Sequence, residues 1–167
     1  MKKIVTVLVC VALGFAVTPV MSAVAISEVQ EDSIKQGCDA MKDDLKALQR
    51  SDSKARVYLG RYYETILTKF ITPLNVRLVE NNLSSTSFID NQNDFNKSRT
   101  NFTIDYIEYQ KGLEELIGID CKSEPGRFYE KLVDVRTKRA VVADDVARLR
   151  KLAGKHASLV KALRETL

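Results

Sequence analysis

The clearest pattern in the sequence is a set of apolar residues near the C-terminus that recurs in alternating steps of four and three. Ten of its twelve positions are apolar, over more than five heptads. The twelve positions are Phe128, Leu132, Val135, Arg139, Val142, Val146, Leu149, Ala153, His156, Val160, Leu163 and Leu167. Such a seam is typical of a coiled-coil helix. Because Ser123 suits an N-cap and Pro125 suits the first turn, the pattern predicts a helix over about residues 124–167.

A second seam with the same spacing runs through the middle of the chain. Serines and a threonine at positions 84–87 provide caps at its start, and Gly118 marks its end. Its positions are Phe88, Gln92, Phe95, Arg99, Phe102, Tyr106, Tyr109, Leu113 and Leu116. The pattern predicts a helix over about residues 86–118.

A third seam lies in the N-terminal part and changes phase along its length. It follows Ile34, Cys38, Met41, Leu45, Leu48, Asp52, Ala55, Leu59, Tyr62 and Ile66, and then shifts to Leu67, Phe70, Ile71, Leu74 and Leu78. Such a shift is what a stutter produces. The polar stretch at 49–54 and Pro73, which should kink a helix, both interrupt the pattern. We favour one long, bent helix over about residues 27–82; two separate helices are the alternative.

The three seams together predict an all-α fold, because no strand-like alternation is found between them. The first and third helices have similar lengths, and the second is shorter. We therefore expect an elongated up-down-up, three-helix antiparallel bundle or coiled coil, on the order of 65 Å long. An aromatic layer is expected near its middle, built from Tyr62, Tyr63, Phe70, Phe102, Tyr106 and Tyr109.

Residues 1–25 have the features of a bacterial secretory signal. Lys2 and Lys3 provide a charged start, Ile4–Val17 an apolar stretch, and Ala23–Ala25 the small residues of a cleavage site. We expect cleavage of this signal peptide, which leaves a single domain over 26–167 with no stable membrane span. Retention of the segment as a membrane anchor is the alternative.

Cleavage would leave two of the three cysteines, Cys38 and Cys121. An even pair in an exported chain is the usual pattern for a disulfide bond. Such a bond would tie the turn between the second and third helices to the base of the first. Two unpaired buried thiols are the alternative.

One pair of charged residues falls on the seams themselves. In the expected alignment Asp52 of the first helix lies level with Arg139 of the third, so an ion pair between them would fix the register of the bundle. The alternative is that both side chains point outward into solvent.

Composition adds a mild positive charge. The 26 Lys and Arg residues outnumber the 22 Asp and Glu residues, which gives a net charge of +4 at pH 7, or +2 without residues 1–25. This is far from the concentrated positive field of a nucleic-acid-binding protein, so nucleic acid is not an expected partner. In the last third, Arg148, Lys151 and Lys155 form a candidate anion-binding face. A solvated face with i,i+4 pairing is the simpler interpretation.

Residues suited to catalysis or metal binding are few. His156 is the only histidine, and it falls on a helix seam. The adjacent carboxylates Asp43–Asp44 and Asp144–Asp145 point in different directions on a helix and make poor chelates. The chain also carries no nucleotide-binding, hydrolase or zinc motif. We therefore expect a protein that is not an enzyme and that needs no metal or cofactor.

A segment around the second cysteine is similar to known sequences. It comprises Ile119-Asp120-Cys121-Lys122, Pro125, Phe128-Tyr129-Glu130-Lys131-Leu132, Arg136 and Arg139. It resembles a segment in uncharacterised secreted helical proteins of candidate-phylum bacteria of the Saccharibacteria type, and the likeness is most evident over about residues 70–146. The resemblance implies export, an all-helical architecture and an important Cys121. It implies no catalytic or binding residue.

These patterns favour an exported, non-enzymatic helical module at the bacterial cell envelope or surface, either secreted or periplasmic, that acts as a spacer or a protein-protein interaction element. The alternative is a periplasmic or extracellular chaperone-like or adhesin-like binder of protein or of an anionic envelope polymer. Chaperones of the Skp type are similar in class, but this chain lacks their apolar strands. A third hypothesis is a small-ligand binder that uses the bundle core. The identity of the partner and the oligomeric state stay open.

Overall fold

The computed structural model describes residues 26–166, and this part of the chain is all-helical, without strands. Its elements are α1 (Glu28–Thr65), a π-helical segment (Ile66–Ile71), α2 (Thr72–Glu80), α3 (Thr86–Gly118) and α4 (Pro125–Thr166). None of the described helices has an apolar stretch long enough to cross a membrane. The expected signal peptide lies outside the described residues.

The first of the three helical arms is one continuous helix rather than two. The backbone at Ile66, Ile71 and Thr72 keeps right-handed helical dihedral angles, so α1, the π-helical segment and α2 follow one another without a break. Ser27 begins the arm with a capping box, in which its side chain accepts from the Gln30 N–H and the Gln30 side chain accepts from the Ser27 N–H. The polar stretch at 49–54 lies within α1 and does not interrupt it.

The π-helical segment accounts for the phase shift in the N-terminal seam. The Thr72 N–H donates to the carbonyl of Leu67, five residues back, directly before Pro73. Proline has no N–H and its ring collides with the carbonyl four residues earlier, and a wider turn relieves both problems. The buried face therefore continues from Tyr63 through Leu67 to Ile71.

The expected aromatic layer is wrong in two of its six members. Tyr63, Phe102, Tyr106 and Tyr109 are buried, and the Tyr63 ring meets the Phe102 ring edge-on. In contrast, Tyr62 is 49% exposed and Phe70 is 61% exposed. The reason is that the seam has already moved by one residue at Tyr63, and the π-helical segment then carries Phe70 to the outer side.

Helix α3 is the central element of the fold. It contributes ten buried residues, compared with three from the longer α1. It packs most closely against α4, where a β-carbon at Gly112 would lie only 3.3 Å from Cγ2 of Val135. The α3–α4 hairpin therefore carries most of the apolar burial, and α1 lies along it with much of its own surface in solvent.

The expected disulfide bond between Cys38 and Cys121 is present. Their α-carbons are 5.6 Å apart, and both side chains are buried in one cluster with Leu113, Leu116 and Phe128. The bond joins α1 to the loop between α3 and α4, so it fixes one end of α1 on the hairpin.

Removal of this bond is expected to destabilise the fold. The double variant C38S/C121S should lose about 2–5 kcal/mol of unfolding free energy, because the bond closes a long loop in the unfolded chain. Urea unfolding followed by circular dichroism measures the loss. Reduced wild-type protein is the control and should match the variant; an unchanged unfolding midpoint in both would contradict the role of the bond.

Candidate functional site

A polar network on three helices surrounds Asp52. Arg139 of α4 donates from Nε to Oδ2 of Asp52 at 2.8 Å and from Nη2 to Oδ1 at 3.2 Å. The Tyr109 hydroxyl of α3 donates to the same Oδ2 at 2.8 Å. A carboxylate of α1 thus binds both α3 and α4 through charge-assisted hydrogen bonds.

The hydrogen bonds of this network determine the protonation states of Asp52 and Tyr109. Burial alone would raise the pKa of Asp52, but the hydrogen bonds from Arg139 and Tyr109 and the charge of Arg139 outweigh it and hold that pKa below its usual range. Burial and the adjacent carboxylate together raise the pKa of Tyr109 above its ordinary value. At neutral pH, Asp52 is therefore an anion and Tyr109 a neutral donor.

The structure brings Asp52 and Arg139 together, whereas sequence reasoning missed Tyr109 as the third member. The Arg139 side chain is still half exposed, so it pairs at the rim of the bundle rather than deep inside it. Tyr109 lies on the seam of α3, where the heptad pattern predicts only an aromatic core residue. Its hydroxyl group could have indicated this role, because the hydroxyl of a buried tyrosine usually forms a hydrogen bond.

An open groove of about 410 Å³ adjoins this network, between α1 and α4 with α3 as its floor. Three arginines stand along it, and the Arg56 guanidinium lies over the Tyr106 ring at 5.3 Å from its centre. The lining residues are Asp52, Ala55, Arg56, Leu59, Phe102, Tyr106, Tyr109, Arg136, Arg139, Ala140, Val142, Ala143 and Val146. We call this feature the three-helix groove.

The three candidate anion-binding residues lie in a second groove, between α3 and α4. Arg148, Lys151 and Lys155 line it together with Lys97 of α3, and Asp94 is its one acidic residue. Within residues 26–166 none of these four cations forms an ion pair. We call this feature the basic groove.

The outer side of the first arm carries exposed aromatic rings. Tyr58 is 69% exposed and stacks on Tyr62 one turn later, with ring centres 6.4 Å apart, and exposed Phe70 follows beyond the π-helical segment. Lys54, Arg61 and Lys69 stand among these rings. We call the six residues together the aromatic-basic face.

Two ionisable side chains are buried elsewhere in the bundle. Burial, together with the adjacent carboxyl group of Asp105, raises the pKa of Asp145 to about 6. Burial lowers the pKa of His156, which meets the Phe88 ring edge-on at 5.8 Å between ring centres. His156 is thus a neutral packing residue at pH 7. No three His, Cys, Asp or Glu side chains among the described residues come close enough to hold a metal ion.

Comparisons with protein-family models, with curated proteins and with solved structures found no match to the chain. The resemblance drawn from the sequence around Cys121 is therefore still a prediction.

The buried Asp145 gives the fold a pH dependence with a definite sign. Because its pKa is higher in the folded protein than in the unfolded chain, its ionisation costs stability as the pH rises from about 4 through 6. The groups around it are Asp105 on α3 and Asp144 and Arg148 on α4. The variant D145N should raise the unfolding free energy by about 2 kcal/mol at pH 7.5 and change it little at pH 4.

Urea unfolding at both pH values measures this difference. The matched control is D144N, which changes the exposed neighbour and should shift both values much less, because Asp144 is the smallest of the influences on the Asp145 pKa. An equal gain for D145N at pH 4 and pH 7.5 would rule out ionisation as the cause.

Proposed function

We propose that the protein is an exported, non-enzymatic helical module of the bacterial cell envelope or surface that acts by binding another protein. In this proposal the three helices form an up-down-up rod. The supporting contacts pair Cys38 with Cys121, Asp52 with Tyr109 and Arg139, and Asn75 with the Phe88 carbonyl. The disulfide bond suits an oxidising compartment outside the cytoplasm.

The observation that carries the proposal is the aromatic-basic face. Isolated apolar residues on a surface are ordinary, but here two exposed tyrosine rings stack on each other and an exposed phenylalanine follows on the same arm. Tyrosine and arginine are enriched where proteins bind each other, because tyrosine buries much area at little cost in side-chain entropy and arginine offers several hydrogen-bond donors.

The charges around this face indicate the kind of partner. Only two acidic residues occur between positions 50 and 79, and each is held by an arginine of another helix: Asp52 by Arg139 and Glu64 by Arg99. Lys54, Arg61 and Lys69 form no ion pair within the described residues. The face therefore suits a partner with apolar side chains surrounded by carboxylates.

A passive spacer is less well supported than a binder. Helix α4, with 42 residues, gives a rod about 63 Å long, which a spacer would use. A spacer has no need, however, for aromatic rings in solvent, where they risk aggregation.

Photo-crosslinking in intact cells tests the proposal. A benzophenone amino acid in place of Tyr62 should link the protein to one partner, and the same group in place of exposed Ala157 on α4 should not. The triple variant Y58S/Y62S/F70S should keep its helical circular dichroism and bind the identified partner at least about tenfold more weakly. The proposal would be refuted if positions 62 and 157 gave identical crosslinked products, or if the triple variant bound the partner as strongly as the wild type.

The basic groove supports a second candidate function, the binding of an anionic envelope polymer. Four cations converge there against one carboxylate, which concentrates positive potential between α3 and α4.

A polymer-binding experiment distinguishes this function from a solvated surface. Glycerol-phosphate polymer should bind the wild type with an affinity that falls as salt rises, and R148Q/K151Q/K155Q should bind about tenfold more weakly. The control K42Q/K46Q/K161Q removes the same charge elsewhere. An equal loss in both triple variants would show that only net charge matters, which would contradict a site in the basic groove.

A further inference from the structure

We propose that the three-helix groove binds a small amphipathic carboxylate, with the acid group at Arg136 and the apolar part against the floor and walls of the groove. This site is separate from the aromatic-basic face and from the basic groove. The inference does not depend on the proposed protein partner.

The shape of the groove comes from small side chains at the places where the helices would otherwise meet. Ala55 of α1 occupies a seam position, and Ala140 and Ala143 of α4 stand across from it. Leucines at such positions would fill the space between the two helices. The resulting volume of about 410 Å³ lies within the range of roughly 300–1,000 Å³ that small-ligand sites occupy.

Most of the surface that lines the groove is apolar. Phe102 of α3 forms part of the floor, and Leu59, Val142 and Val146 form the walls. An alkyl chain or an aromatic ring placed there would leave water for an apolar surface, which is favourable by about 25 cal/mol per Å². An inorganic anion has no apolar surface to bury and would gain none of this free energy. The lining therefore favours a ligand with a sizeable apolar part.

The charges of the groove favour an anionic head. Its only carboxylate, Asp52, already accepts hydrogen bonds from Arg139 and Tyr109. Arg56 and Arg136 form no ion pair within residues 26–166, so two cations remain uncompensated at the rim. A guanidinium binds a carboxylate through two parallel hydrogen bonds, which is the strongest pairing these residues offer.

The position of Arg56 is also set before any ligand arrives. Its guanidinium rests over the Tyr106 ring, and the Tyr106 hydroxyl contacts the Ser53 hydroxyl at 3.4 Å. Contact with the ring holds the Arg56 charge beside the groove, where it adds to the positive potential that attracts an anion.

A fluorescence displacement experiment on the purified protein tests the proposal. The probe is 11-(dansylamino)undecanoic acid, a fatty acid whose emission rises in apolar surroundings, and laurate is the competitor. Laurate should displace the probe, whereas dodecanol and dodecyltrimethylammonium, which have the same chain without the carboxylate, should displace it at least about tenfold less well.

Three variants locate the site. R136Q removes a cation that forms no ion pair, so the fold should persist while laurate binding weakens about tenfold. A143F should block the groove and abolish binding without removing a charge. R148Q is the matched control, because it removes an arginine of the same helix that lies outside this groove, and it should bind laurate as the wild type does.

The outcomes separate this inference from the proposed function. Y58S/Y62S/F70S should bind laurate normally, because those residues do not line the groove. The inference is overturned if dodecanol competes as well as laurate, if A143F binds normally, or if R148Q loses as much affinity as R136Q. None of these results bears on the partner bound by the aromatic-basic face.

Discussion

The covalent bond between Cys38 and Cys121 is the constraint on which the placement of the first arm depends. Helix α1 contributes only Ile34, Cys38 and Tyr63 to the fully buried core, so apolar burial alone holds it weakly against the hairpin. The bond fixes its lower end, and the axial rise of a helix then determines what lies farther along. Asp52 is 14 residues beyond Cys38, or about 21 Å, and there it meets Tyr109 and Arg139.

The π-helical segment is the second constraint, and it determines what the first arm presents to solvent. Pro73 cannot donate a backbone hydrogen bond, and the wider turn before it rotates the following residues relative to an ideal α-helix. That rotation keeps Leu67 and Ile71 in the core and leaves Phe70 on the same outer side as Tyr62. The position of Phe70 on the aromatic-basic face is therefore a consequence of the backbone geometry before Pro73.

Much of the helical architecture could be predicted because heptad periodicity is a local property. The expected helix over about 86–118 matches α3, Thr86–Gly118, and the other two arms end within about two residues of the expected positions. The disulfide bond could be predicted because Cys38 and Cys121 are the two cysteines left once Cys10 is assigned to the expected signal peptide. The phase of the first seam could not be predicted as well, because Tyr62 and Tyr63 occupy adjacent helical positions and the sequence pattern does not show which of the two is buried.

The candidate sites were harder to predict, because they depend on residues distant in sequence. The helix lengths were enough to predict that Asp52 and Arg139 lie at the same height along the bundle. The hydrogen bond from Tyr109 to Asp52 could not be predicted, because it depends on the placement of α3 between α1 and α4. The three-helix groove exists because alanines from two helices face one another, and nothing in a single helix marks an alanine as the edge of a cavity. The pair of Asp105 and Asp145 likewise arises from the packing of α3 on α4.

The polar side chains buried in the core also help to distinguish a spacer from a binder. A passive rod is best stabilised by an unbroken apolar seam, since each buried polar group without a hydrogen bond costs about 1–3 kcal/mol. This bundle instead buries Asn91, whose side-chain amide forms no hydrogen bond within the described residues, along with Asp145 and His156. Within residues 26–166, cations without ion pairs also lie beside two grooves. Stability is thus given up at several positions, which agrees better with the proposed binder than with a passive spacer.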